Sequence, residues 1–210
     1  MGTGADILAM IERIDAGLAL PRVRSVWIPE PTLAADKDAE FGVIALEDGS
    51  VGLFYAWLGE SQAGISARYD AAALAGQAGA LGVRTTVIER KHHLVRESGD
   101  CVVTLDPLRL ADCNKVICTA ATLINDTIDD MLAYCAGVEV IAVLGPSASF
   151  PPEPLFERGV SIVGGSRIDD AGAAIAMQQS GSGLRACSRR YVIERSSWPG
   201  TAALLARAAA

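Results

Sequence analysis

The second part of the chain alternates between short apolar runs and longer segments of helical composition, and this rhythm most constrains the fold. The helical segments are predicted at 127–136, 153–158 and 170–179. The apolar runs predict strands at 115–118, 138–144, 160–163 and 191–193. These runs are continuously apolar, as expected for strands buried on both faces of a parallel sheet. The pattern predicts an α/β fold with a Rossmann-like, mainly parallel sheet and helices on both faces.

The first 82 residues follow a different pattern. Apolar residues at helical spacing predict a helix over 5–17, and a hairpin turn with Asp48-Gly49 at its centre joins two predicted strands. The predicted strands of this part are 23–28, 41–46 and 51–58, and an Ala-rich helix is predicted at 69–80. We therefore predict a small α+β part over 1–82 and a Rossmann-like part over 83–210, whose first strands lie at 83–89 and 101–105.

Composition limits the classes of protein to which the chain can belong. Half of the 210 residues are apolar and a fifth are charged, which is enough to bury a large core without disulfides. No stretch approaches 18 uncharged apolar residues, so we expect no membrane partner, and five scattered cysteines favour a reducing, cytoplasmic compartment. The net charge of −7 argues against nucleic acid as a partner. The apolar fraction is compatible with a homodimer.

Small and polar residues follow three of the predicted strands. The carboxyl ends of parallel strands meet at one edge of a sheet, where ligands bind, and the helix after each strand offers free N–H groups there. The candidate ligand-binding residues are Thr119, Thr122, Asn125, Asp126 and Thr127 after the first strand, Gly145, Pro146 and Ser147 after the second, and Gly164, Gly165 and Ser166 after the third.

A purely structural explanation of the same residues stays open. Asn125 or Asp126 suits the N-cap of the 127–136 helix, with Asp129 completing a capping box, and Asp169 or Asp170 suits the next cap. Glycine is also what any tight turn after a strand requires. The recurrence of such segments after three strands favours ligand binding for the group.

The three segments together resemble successive loops of a known family. They are Cys118-Thr-Ala-Ala-Thr-Leu-Ile-Asn-Asp-Thr127, Leu144-Gly-Pro-Ser-Ala-Ser-Phe-Pro-Pro152 and Gly159-Val-Ser-Ile-Val-Gly-Gly-Ser-Arg-Ile-Asp-Asp170. In order and spacing they look like the loops of the “putative heavy-metal chelation” family of prokaryotic proteins, and the hairpin at 41–58 is similar to the first part of that family. The region 80–112 is shorter than the family pattern.

The resemblance implies a fold and a place for the site. It implies an enolase-N-terminal-like α+β part joined to a Rossmann-like part, with the site in the cleft between them. The expected function is binding of a small ligand, or of a metal or metal chelate, in that cleft. The resemblance leaves open whether the protein is an enzyme, and it assigns no cofactor beyond a metal ion or metal chelate as the candidate.

The residues themselves give a metal site limited support. His92 and His93 are the only histidines, and the chain has no Cys-x-x-Cys pair for zinc. A hard cation could use the carboxylates of Asp126, Asp129 and Asp130 together with Glu30, Asp36 or Asp38. The same acids near 126–130 are also what the positive end of a helix dipole favours.

Two other functions remain open from the sequence. A nucleotide- or S-adenosylmethionine-dependent enzyme could use Glu89, at the end of a predicted strand, to hold ribose hydroxyls, although no Gly-x-Gly-x-x-Gly turn precedes it. A non-catalytic partner protein would need only well-capped loops.

Overall fold

The structure is a computed structural model that describes residues 6–19, 21–27, 39–57, 82–180 and 184–208. Elements are numbered below in chain order within these ranges. None of the helices in this part of the chain has both the length and the apolar character needed to cross a bilayer.

Helix α1 (Ile7–Asp15) confirms the first predicted helix, and it starts where the sequence supplies a cap. The Asp6 carboxylate accepts a hydrogen bond of 2.7 Å from the Ala9 N–H, which satisfies one of the free donors of the first turn. Helix α1 ends at Asp15, ahead of Gly17 and Pro21.

Three antiparallel strands follow α1, as predicted. They are β1 (Val23–Trp27), β2 (Ala39–Leu46) and β3 (Val51–Trp57), in the order β1-β2-β3. The predicted turn closes β2 on β3, with a hydrogen bond of 2.9 Å from the Leu46 N–H to the Ser50 carbonyl. The Ala-rich helix predicted at 69–80 lies outside the described residues.

A second small sheet mixes parallel and antiparallel pairing. Strand β4 (Thr85–Ile88) runs parallel to β6 (Cys101–Thr104), and β5 (Arg96–Ser98) runs antiparallel to β6. The order is β4-β6-β5. Short 3₁₀ turns at His92–Leu94 and Pro107–Asp112 connect these strands to each other and to the next sheet.

The third sheet has four strands and carries the predicted alternation of strands and helices. Strands β7 (Lys115–Thr119), β8 (Val140–Leu144) and β9 (Ile162–Ile168) are parallel, as predicted, and the structure places them in the order β9-β8-β7. Strand β10 (Ser188–Glu194) pairs with β9 in the antiparallel sense.

The helices of this half are shorter than their predicted ranges. They are α2 (Ala121–Ile124), α3 (Ile128–Ala133), α4 (Glu153–Glu157), α5 (Ala171–Gln179) and α6 (Thr201–Ala208). Helix α2 and β5 were not predicted. The mixed α/β class is confirmed, whereas the Rossmann-like and enolase-N-terminal-like descriptions stay predictions.

The main core lies on one face of the four-stranded sheet. Val143 and Val163 on β8 and β9 are fully buried there, packed against Ile128 of α3 and Leu155 of α4. Alternate strand residues point to the same face, so Val116 and Ile141 belong to this buried face as well. We call it the core face and its opposite the open face.

Helix α1 packs into this core, although it belongs to the first part of the chain. Ile7 is fully buried in the core cluster, and α1 contacts α4. The β1–β3 sheet lies elsewhere: β1 and β2 contact α5, and β3 contacts β9. The division into parts 1–82 and 83–210 stays a prediction, and the structure adds that the two are joined through α1.

The end of the chain is held by one carboxylate. Glu153 Oε1 accepts hydrogen bonds from the Trp198 indole (2.9 Å) and the Thr201 N–H (2.6 Å), and Oε2 accepts one from the Thr201 hydroxyl (3.0 Å). Glu153 therefore caps the N-terminus of α6 from α4, 48 residues earlier in the chain. Burial raises the pKa of Glu153, but the hydrogen bonds from Thr201 and Trp198 outweigh it and lower the pKa below its ordinary value.

We expect Glu153→Gln to lower the free energy of unfolding by about 1–2 kcal/mol at neutral pH, because hydrogen bonds to a charged acceptor are lost. The lowered pKa means that the ionised carboxylate stabilises the fold above the ordinary value of 4.5. This contribution is lost as the pH falls through the lowered pKa, so the two proteins should converge in acid. Urea unfolding at several pH values measures the difference. Glu157→Gln, an exposed change on the same helix, is the control, and a constant gap at all pH values would contradict the assignment.

Candidate functional site

The ends of β7 and β8 meet at Gly145, beside the first half of β9. The Ala120 N–H, just after β7, donates a hydrogen bond of 2.9 Å to the Leu144 carbonyl on β8. The Gly145 N–H donates one of 2.8 Å to the Gly164 carbonyl on β9. Gly145 is thus hydrogen-bonded to β9 and adjoins the end of β7. The segments after β7 and β8 therefore lie at the same edge of the sheet.

Gly145 has a backbone conformation and a packing that favour glycine. Its φ is +152°, and a Cβ atom built on it would lie 3.0 Å from the Cβ of Ala120. Such a contact is too short for an ordinary pair of carbon atoms. The absence of a side chain lets the β7 and β8 strand ends approach closely.

The segment after β8 (residues 145–152, the β8 loop) is tied back to β9 and β10. The Ser149 hydroxyl donates a hydrogen bond of 2.9 Å to the Pro146 carbonyl and lies 3.4 Å from the Ser166 carbonyl. The Tyr191 hydroxyl donates one of 3.3 Å to the Ala148 carbonyl. These contacts fix the loop that carries Pro146 and Ser147.

The prediction that a loop begins at Gly164, after the third strand, is wrong. Gly164, Gly165 and Ser166 lie inside β9, because this strand continues to Ile168 in a full register with β10. Apolar composition ends at Val163, but pairing with β10 extends the strand over residues that sequence propensity assigns to a turn. Gly164 and Ser166 point to the open face, whereas the ring of Tyr191 covers Gly165 on the core face.

The segment after β7 (residues 119–127, the β7 loop) begins with two threonines in different environments. Thr119 is exposed at the end of β7. Thr122 is buried, and its hydroxyl donates a hydrogen bond of 2.6 Å to the Thr119 carbonyl. The hydroxyl of Thr122 therefore holds the strand end, while that of Thr119 is exposed and accepts a hydrogen bond of 3.3 Å from the Ala121 N–H.

The predicted capping by Asn125 or Asp126 is also wrong. The N-cap position of α3 is Thr127, and its side chain makes no capping bond. Instead the Thr127 hydroxyl donates a hydrogen bond of 2.6 Å to Asn125 Oδ1, and Asp126 has a φ of +56°. Helix α2 takes up Ala121–Ile124, so residues 125–127 form the link between two short helices rather than the start of one long helix. By contrast, Asp170 Oδ1 accepts from the Ala173 N–H at 2.9 Å at the start of α5, as predicted.

The structure therefore brings together part of the predicted set. Thr119, Gly145, Gly164 and Ser166 are linked by the contacts around Gly145 and Ser149. Asn125 and Thr127 form a hydrogen bond with each other within the β7 loop, and the Thr127 N–H donates one of 2.9 Å to the Thr122 carbonyl. Ser149 and Tyr191 were not predicted as site residues, since no spacing in the sequence signals a contact across 42 residues.

The described residues do not fit a metal ion held by the protein alone. No group of three or more histidine, cysteine, aspartate or glutamate side chains in these ranges is placed to hold one. Both histidines are exposed on a 3₁₀ turn, and Glu30, Asp36 and Asp38 lie outside the described residues. A hard-cation site built on Asp126, Asp129 and Asp130 is thus not supported within this part of the chain.

Asp129 has a structural role instead. Its Oδ2 accepts a hydrogen bond of 3.0 Å from the Ile7 N–H at the start of α1. Its buried Oδ1 lies 2.7 Å from Arg158 Nη1, as an ion pair without the alignment of a hydrogen bond. Asp129 therefore joins α1 to the helices of the core face.

The cysteines near β7 are kept protonated by their surroundings. Burial raises the pKa of the Cys118 thiol, and the hydrogen bond with the Thr122 hydroxyl offsets this only in part. Burial also raises the pKa of Cys135, and the nearby Cys118 and Cys113 raise it further. Thiolates are the form that binds soft metals, so a metal would have to displace the proton of each of these thiols.

Glu89, the candidate for binding ribose, uses its carboxylate locally. Its Oε1 accepts hydrogen bonds from the N–H groups of Arg90 (2.7 Å) and Lys91 (3.3 Å). It follows β4 in the small sheet, whereas Gly145 and its neighbours belong to the four-stranded sheet.

A comparison with models of protein families identifies the family of the chain. Residues 75–196, more than half of the chain, match the DUF364 family, described as “putative heavy-metal chelation”. The chain belongs to this family. Its family segment contains β4 to β10 and every residue discussed around Gly145.

Two solved structures of DUF364 proteins of unknown function share the fold. One, from Desulfitobacterium hafniense DCB-2, has a TM-score of 0.59 and 15% identity, with 90% of this chain and 98% of that chain covered. The other, from Pyrococcus horikoshii, has a TM-score of 0.54 and 16% identity, with 90% and 99% covered. No curated protein matches the chain.

We expect Asp129→Ala to destabilise this DUF364 protein by about 1–3 kcal/mol, because the Ile7 N–H loses its acceptor and the ion pair with Arg158 is removed. Thermal and urea unfolding measure the loss. Asp130→Ala, an exposed change one residue away, should cost much less. Equal effects of the two changes would contradict the role given to Asp129.

We also expect Gly145→Ala to cost about 1–3 kcal/mol, through a strained φ and the contact with Ala120. Gly159→Ala is a matched control, because Gly159 has a φ of +91° but open space around its Cβ position. Urea unfolding should show the larger loss for Gly145→Ala. Equal losses would mean that the close approach of β7 and β8 does not depend on Gly145.

Proposed function

We propose that the protein binds a small oxygen-rich organic ligand, or a metal ion already held by such a ligand, beside Gly145. The observation that carries the proposal is the convergence of β7, β8 and β9 at this glycine. Three hydroxyl side chains lie around the point where β7 and β8 end beside β9. They are the exposed Thr119, the half-buried Ser147 and the half-buried Ser166.

The chemistry of these groups suits a chelate better than a bare ion. Hydroxyl and backbone groups recognise carboxylate and hydroxyl oxygens of an organic ligand by hydrogen bonding. A bare heavy-metal ion would need several thiolate, imidazole or carboxylate ligands, and the described residues bring no such group together. The family description, “putative heavy-metal chelation”, supports a metal as part of the ligand.

The ligand would enter between the two predicted parts of the chain. Strand β3 of the first part contacts β9, the strand that carries Gly164 and Ser166. This contact supports a cleft whose walls come from parts 1–82 and 83–210, and Asn125, Asp126 and Thr127 would line its outer side.

Two further expectations belong to this proposal. All five cysteines are free, which supports a reducing, cytoplasmic location. The net charge of −7 supports a small-molecule partner over nucleic acid. The alternative of a nucleotide- or S-adenosylmethionine-dependent enzyme is less well supported, since the Glu89 carboxylate already accepts hydrogen bonds from the N–H groups of Arg90 and Lys91.

Ligand binding should raise the melting temperature. A ligand at about 100 times its Kd stabilises a fold by about 2.7 kcal/mol, and each kcal/mol shifts Tm by about 2–4 °C at this size. The probes are Ni²⁺, Zn²⁺ and Fe³⁺, each alone and as its citrate complex, with citrate alone as a reference. We expect a shift with at least one citrate complex that exceeds the shift with the same metal alone.

Variants locate the binding site. Ser147→Ala and Thr119→Val should each reduce the shift, because the lost hydroxyls contact the ligand. Thr119→Val also removes the acceptor of the Ala121 N–H, so the shift of each variant is measured against the Tm of that variant without ligand. Ser98→Ala, on the exposed strand β5, is the control. A shift that survives in both variants, or the absence of any shift with all probes, would contradict the proposal.

A further inference from the structure

The open face of the four-stranded sheet exposes large apolar side chains. Ile117 on β7 is 72% exposed, Val192 on β10 is 62% exposed and Leu144 on β8 is 36% exposed. Ile117 is the most exposed large apolar residue in the described ranges. Strands in parallel sheets are normally covered on both faces, and a contiguous exposed apolar patch marks an interface.

Strand register places these residues side by side. Thr119, Leu144, Gly164 and Val192 form one row across the four strands. Ile117, Ala142, Ile162 and Glu194 form the next row on the same face. Gly164 adds no side chain to the first row, and Leu144 packs over it, since a Cβ atom built on Gly164 would lie 2.7 Å from Leu144 Cδ2.

Opposite charges flank this patch at the two edges of the sheet. Lys115 is exposed at the start of β7, one row below Ile117 on the open face. Glu194 is exposed at the end of β10, in the row of Ile117. The face therefore carries a cation on one edge, an anion on the other and apolar side chains between them.

We propose that a second copy of this chain packs on the open face through a two-fold axis that runs along the strands. This axis places β7 of one copy over β10 of the other. At both edges of the interface, Lys115 then lies one row, about 7 Å along the strands, from Glu194 of the other copy, within reach of the two long side chains. Ile117, Leu144 and Val192 of both copies lie between the two ion pairs. A two-fold axis across the strands at the row of Ile117 would place the Glu194 carboxylates of the two copies opposite each other, which is why the axis along the strands is favoured. Arg190 lies past the end of β7 and about 20 Å along the strands from Lys115, so the two cations do not meet.

The interface is the face of a four-stranded sheet, which is small compared with that of a stable dimer. The dimer should therefore dissociate reversibly on dilution. This inference does not depend on the proposed ligand, because it rests on the exposed apolar residues and charges of the open face.

Sedimentation velocity on the full chain, over about a 100-fold range of concentration, tests the proposal. The wild-type protein should pass from monomer to dimer within the range. Ile117→Gln and Val192→Gln should each raise the dimer Kd by about tenfold or more, because two copies of the side chain leave the interface. Leu108→Gln, a change at a residue that is 66% exposed outside this sheet, should not change it.

Charge exchange tests the orientation of the two copies. Glu194→Lys should weaken the dimer, since Lys115 then faces a cation, and Lys115→Glu combined with Glu194→Lys should restore it. All these positions are exposed, and circular dichroism checks that the variants fold. A wild-type protein that stays monomeric, or a dimer that is indifferent to open-face changes, would overturn the proposal.

Discussion

Burial of the core face of the four-stranded sheet is the interaction on which the other features depend. Val143 and Val163 are fully buried there, and α3 and α4 pack on them through Ile128 and Leu155. Removal of this apolar surface from water provides the main driving force for assembly. Because β7, β8 and β9 share this face, their register is fixed. The fixed register brings Ala120, Gly145 and Gly164 together where β7 and β8 end beside β9.

Two polar clamps attach distant parts of the chain to this core. Asp129 holds the start of α1 through the Ile7 N–H, and Glu153 holds the start of α6 through Thr201. Each uses a carboxylate to satisfy N–H groups at a helix N-terminus, where the dipole favours a negative charge. Acids that a sequence pattern suggests as metal ligands can therefore have structural roles. A carboxylate engaged in this way is poorly available to a ligand.

The two faces of the four-stranded sheet differ in how much of their apolar surface is covered. The core face is covered by α1, α3 and α4, whereas the open face presents Ile117 and Val192 to solvent. The proposed ligand site lies at the rim between them, where Thr119 and Ser166 point to the open face. If a second copy covers that face, the rim becomes the boundary of the dimer. Ligand binding and association could then be measured against each other in one protein.

The sequence by itself determined the strands, the first helix and the order of the elements, since these depend on local periodicity and turn chemistry. It also placed the segments after β7 and β8 at one edge of the sheet, because carboxyl ends of parallel strands share an edge. Only the tertiary structure decided that Gly164, Gly165 and Ser166 belong to β9, because pairing with β10 supplies hydrogen bonds that local propensity does not count. It likewise decided that Asp129 binds α1, a contact between residues 122 positions apart. Such contacts follow from packing of the whole chain, and no local pattern of residues records them.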